Sequence, residues 1–118
     1  MEVSSLIVNI TSEQPDKVGA FYREVVGLKP NPNIGQNAFE IGNANLIIDG
    51  HSATKGATKE PQRVLIDLFV DDLAAEQKRL ETAGVKFIRT AGKEEGGGSI
   101  STFLDPDGNY CQIIEYKP

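Results

Sequence analysis

VLIDLFVDDLAAEQKRLETAGV, residues 64–85, changes its period midway, and that change decides the fold. Val64, Ile66, Leu68 and Val70 alternate with Leu65, Asp67 and Phe69, the period of two expected of a strand with one aliphatic face and one mixed face. Asp71 or Asp72 then supplies a helix cap, Leu73 and Leu80 fall on one helical face, and Gly84 closes the helix. Beyond it lie VKFIRT, a glycine-rich loop, SISTFLD, the turn DPDGN at 105–109 and a closing strand, YCQIIEY.

The first half of the chain repeats this order. In VSSLIVNI, residues 3–10, Leu6, Val8 and Ile10 share one face of a strand and Ser5, Ile7 and Asn9 the other. Ser12 is placed to cap a helix, Pro15 suits its first turn, and Val18, Phe21, Tyr22 and Val25 recur at helical spacing before Gly27. The segments NAFEIG and NANLIID around Gly42 and Asn43 predict a hairpin. Ile10 aligns with Val70 and Gly27 with Gly84, offsets of 60 and 57, so one unit of strand, helix and three strands occurs twice. The expected organisation is a single domain over 1–118, with module one at about 1–50, a polar connector at 51–62 and module two at 63–118.

Composition narrows the function. The formal charge of −5, with scattered Lys and Arg, lacks the basic stripe of a nucleic-acid binder. No apolar run approaches the roughly 18 residues of a membrane span, and the N-terminal residues show neither a basic region nor a cleavage site. The single cysteine, Cys111, forms no intrachain disulfide, which fits a reducing compartment, and a cytoplasmic location is expected.

Three stretches resemble the vicinal oxygen chelate superfamily of glyoxalase I, extradiol dioxygenases, fosfomycin-modifying enzymes and bleomycin-resistance proteins. They are FYREVVGL at 21–28, LFVDDLAAEQKRLETAGV at 68–85 and FLDPDGNYCQIIE at 103–115. The resemblance implies an α+β fold of two βαβββ modules forming a curled mixed sheet, a half-barrel, with helices on the outer face. It also implies a homodimer. In metal-dependent relatives four ligands come from the first and fourth strands of each module, and these positions fall here on Ser5, Ile47, Leu65 and Gln112. None is a histidine or carboxylate, so neither a metal nor another cofactor is expected.

With the metal set aside, attention moves to the inner face. Asp67 is the principal polar candidate, since alternation places a carboxylate between Leu65 and Phe69 where it needs solvent, a partner or a cation. Asn9 is its counterpart in module one, offset by two residues, and the register implied by the resemblance adds Thr102, Tyr110 and Gln112 as hydrogen-bonding groups. Phe39 and Phe69 are candidate stacking surfaces. His51 reads as a solvated loop residue, Cys111 as a packed apolar group, Asp105 and Asp107 as turn residues, and EEGGGS at 94–99 as a hairpin loop, which the resemblance implies lies near the pocket mouth as a candidate flap. The expected function is a metal-independent small-molecule binding protein, similar to bleomycin-resistance proteins, which sequesters a drug or metabolite in a cleft of a homodimer. The alternative is a metal-independent lyase, isomerase or transferase using Asp67 or Tyr110 as acid or base; no catalytic residue is assigned.

Overall fold

The computed structural model describes residues 1–93 and 98–116. Packing divides the chain into two units, Met1–Gly56 and Ala57–Pro118, with the boundary inside the 51–62 connector. Each unit is a mixed four-stranded sheet with a helix against one face. The first contains β1 (Ile7–Ser12), α1 (Pro15–Ala20, continued by wide turns over Phe21–Val26), β2 (Lys29–Pro30), β3 (Ala38–Ile41) and β4 (Ala44–Gly50). Its strand order is β1-β4-β3-β2, with β1 parallel to β4 and the other pairs antiparallel. The second contains β5 (Ile66–Phe69), α2 (Leu73–Thr82), β6 (Phe87–Lys93), β7 (Gly98–Leu104) and β8 (Tyr110–Tyr116), in the matching order β5-β8-β7-β6. The α+β class and the twice-repeated βαβββ order agree with the sequence reading. Among the described residues no helix is long and apolar enough to cross a membrane.

In the first unit the register sets Val8 opposite Leu46 and Ile10 opposite Ile48, and the core closes around Leu46, Ile48 and Phe39 with Val18 and Tyr22 from the helix. Full burial of such side chains contributes about 1.5–3 kcal/mol each. The Tyr22 and Phe39 rings stand 6.4 Å apart. In the second unit Ile66, Cys111, Ile113 and Phe103 take the same places, covered by Leu73 and Leu80 of α2.

Local detail departs from expectation in three places. β1 starts at Ile7, not Val3, because its parallel partner offers no earlier rung: Asn45 donates its amide hydrogen to Leu6, and Val3 is left 70% exposed. Ser12 ends β1 instead of capping α1; its Oγ accepts a hydrogen bond from the Gln14 backbone, closing a tight turn, and Gln14 occupies the cap position without a side-chain cap bond to the helix. Likewise β5 begins at Ile66, since Val64 follows a short turn at Pro61–Arg63 and is exposed. The two helix ends behave as read: Gly27 and Gly84 have φ of 85° and 87°, values that disfavour any side chain.

Candidate functional site

Opposite the helix, each sheet keeps an open face, and the second unit arranges its open face in rows. The register sets Asp67 on β5 beside Gln112 on β8, Gln112 beside Thr102 on β7, and Thr102 beside Arg89 on β6. This polar row lies between apolar ones, because Phe69 neighbours Ile114, which in turn neighbours Ile100, on one side, while Tyr110 neighbours Leu104 on the other. The placement follows from alternation: Cys111 and Ile113 are buried on the helix side, so Tyr110, Gln112 and Ile114 turn the other way. Gln112 Nε2 donates to Thr102 Oγ1 at 3.0 Å, which fixes both side chains. Asp67 has no hydrogen bond or ion pair among the described residues, and partial desolvation pushes its carboxyl above the ordinary 3.8. Two residues on, the Phe69 ring is 70% exposed. The row therefore presents an uncommitted acceptor, a fixed amide and a free aromatic surface.

Polar groups on the first unit's open face are paired. Asn9 Nδ2 donates to Asp49 Oδ2 at 3.1 Å, Asn31 Nδ2 donates to Asn45 Oδ1 at 3.0 Å, and Lys29 forms an ion pair with Glu40 at 3.3 Å. Phe39 is not part of this face. Its register partner is Leu46 and it is fully buried against Tyr22, so it belongs to the core, and the expectation of a stacking role fails on the side the strand presents to the helix. A cavity of about 200 Å³ opens at the carboxyl end of β4, where Asp49 and Ile47 meet the loop carrying Ile34 and Gln36. Sequence reasoning missed both Asp49 and Gln36. The alternation of Ile47 and Asp49 within NANLIID was the available signal for the first; nothing local marked the second.

The metal-ligand positions carried over from the resemblance do not fit a divalent cation. Ile47 and Leu65 have no donor atom, Ser5 is an exposed loop residue before β1, and the Gln112 amide is turned to Thr102. Among the described residues no three His, Cys, Asp or Glu side chains come together. His51 is exposed, its Nδ1 accepting from the Ala53 backbone at 3.0 Å. The Cys111 thiol is fully buried. Asp105 works as a turn residue: Oδ1 accepts from the backbones of Asp107 and Asn109 at 2.9 Å each, and Oδ2 accepts from Asn109 Nδ2 at 2.8 Å. The loop expected at 94–99 lies largely outside the described residues.

Two βαβββ units, each with one helix and one open sheet face, define a glyoxalase-like α+β protein. The profile of the Glyoxalase/Bleomycin resistance protein/Dioxygenase superfamily matches residues 6–113, and the chain belongs to that superfamily. Solved structures carry the same fold. A superfamily member from Sphaerobacter thermophilus is 19% identical, with a TM-score of 0.76 and 98% of each chain covered. An enzyme of the same family from Burkholderia phytofirmans is 20% identical, with a TM-score of 0.75, covering 94% of this chain and 97% of the other. Lactoylglutathione lyase from Agrobacterium tumefaciens is 19% identical, with a TM-score of 0.70, covering 97% and 94%. At such identities the likeness is one of fold. Among curated proteins none matches the chain significantly.

Proposed function

We propose that the chain is a metal-independent small-molecule binding protein of the cytoplasm, holding a drug or metabolite against its open sheet faces as part of a homodimer. The observation that carries this reading is the polar row of Asp67, Gln112 and Thr102 set between apolar rows, the combination that gives a pocket both affinity and orientation. Asn9, Tyr110 and Phe69 contribute from the same class of face. Support for self-association comes from β1 and β5, which end their sheets and leave Leu6, Ile7, Leu65 and Phe69 uncovered, a surface suited to a second copy. The charge of −5 argues against nucleic acid as partner.

A thermal-shift screen of small metabolites, glycopeptides and aromatic antibiotics tests the reading, because a ligand of the folded state raises the melting temperature by mass action. A hit whose effect is reduced in Asp67→Asn and in Phe69→Ala supports it. Stoichiometric zinc or manganese retained after dialysis would sink the metal-independent claim. The raised carboxyl of Asp67 favours one further reading, an enzyme in which this side chain acts as general base. Turnover of a hit, lost in Asp67→Asn while binding persists, would put catalysis ahead of sequestration.

A further inference from the structure

We propose that the cavity at the end of β4 is a second ligand site, separate from the Asp67 row, which takes a small molecule bearing an ammonium group. The cavity is a property of the first unit alone and holds about 200 Å³. That is below the range of roughly 300–1,000 Å³ usual for drug-sized ligands, and closer to the roughly 150 Å³ known to accept a benzene ring. Its walls are Pro15, Ile34 and Ile47, and its polar groups are Gln36, Asn37 and Asp49. Among the described residues no lysine, arginine or histidine lines it, and Asp49 is its one charged residue.

That carboxylate is positioned and half committed. Asn9 Nδ2 donates to Oδ2, which fixes the plane of the group from the neighbouring strand, while Oδ1 accepts nothing among the described residues. Asn37 is already engaged, its Nδ2 donating to Asp16 Oδ1 at 3.0 Å. Gln36 makes no hydrogen bond among the described residues, so its amide oxygen is available as a second acceptor. A guest therefore meets one anionic acceptor, one neutral acceptor and an apolar wall. An ammonium group with a compact apolar body satisfies all three; an anion meets only repulsion from Asp49. Asn9 acts here as a positioning residue for Asp49, and the site stands whether or not the Asp67 row binds anything.

Benzylamine, protonated at neutral pH, is the probe, with neutral benzyl alcohol as its match in size, and binding is followed by two-dimensional amide NMR. Benzylamine is expected to shift the amides of Gly35, Gln36 and Gly50, and benzyl alcohol to bind there about threefold or more weakly, the scale of a solvent-facing ion pair. Asp49→Asn, which retains an acceptor for Asn9, is expected to abolish that preference. Asp67→Asn is expected to leave these shifts unchanged. The proposal is overturned if Asp49→Asn titrates like the unaltered protein, if the shifts gather on β5 and β8 instead, if Asp67→Asn removes them, or if neither probe shifts the first unit.

Discussion

The two units share strand order and register logic but secure their helices by different means. In the second, Asp72 caps α2 by accepting from the Ala75 backbone at 3.0 Å, and Glu115 on β8 accepts from the Leu73 backbone at 3.1 Å. In the first, no side chain caps α1; Pro15 occupies the first turn, and Asn37 reaches from the turn before β3 to Asp16. There the helix backbone also lies close against that turn, because Gly19 leaves the space that the Asn37 side chain fills. The open faces differ in the same way, with paired polar groups in the first unit and an uncommitted Asp67 in the second. One architecture thus tolerates different local solutions wherever a backbone hydrogen or a charge needs a partner, provided the aliphatic face is kept.

The largest expected effect falls where the units agree. Phe39→Ala and Phe103→Ala each remove a fully buried ring and should each cost about 3–5 kcal/mol, measured by urea denaturation. A Phe39→Ala protein of unchanged stability with impaired ligand binding would return Phe39 to the site and undo its assignment to the core.

Capping should separate the units by a smaller margin. Asp72→Ala is expected to cost about 1 kcal/mol, while Gln14→Ala, which removes no cap hydrogen bond, should cost less in the same measurement. Equal costs at the two positions would break the contrast.

Asp67→Asn should have the smallest effect, and its sign depends on pH. Burial raises the carboxyl above 3.8, so the folded protein holds that proton more tightly than the unfolded chain does. The stability it contributes is full below 3.8 and is lost as pH rises through the raised folded value. At neutral pH the variant should therefore be slightly more stable, by about 0.5 kcal/mol or less, with the gain fading toward acid. Thermal melts of the ligand-free protein at neutral and acid pH decide it; a loss at neutral pH would mean that Asp67 has a partner of opposite charge.

Much of this was legible in advance. Period-two alternation at Ile66–Phe69 and Tyr110–Tyr116, helical spacing at Val18 and Tyr22, and Gly27 and Gly84 as terminators fixed the order of elements. Alternation also put Asp67 opposite the aliphatic face, and the DPDGN turn followed from residue chemistry alone. Phe39 was illegible, because a strand between two glycine-containing turns does not state which face meets the helix; its pairing with Leu46 does. The start of β1 was hidden for a related reason, since the alternation of VSSLIVNI continues past the point where β4 provides a partner.

The sequence by itself determined the repeat, the class of fold and the lack of metal-binding side chains at the family's ligand positions. These depend on residue identity and on periods that local backbone geometry imposes. Only the tertiary structure decided that Asn9 holds Asp49, that Gln112 is tied to Thr102, and that a cavity opens beside β4. Each of these joins residues from different strands or from a strand and a distant loop, and such meetings are set by register and packing, which no local pattern encodes.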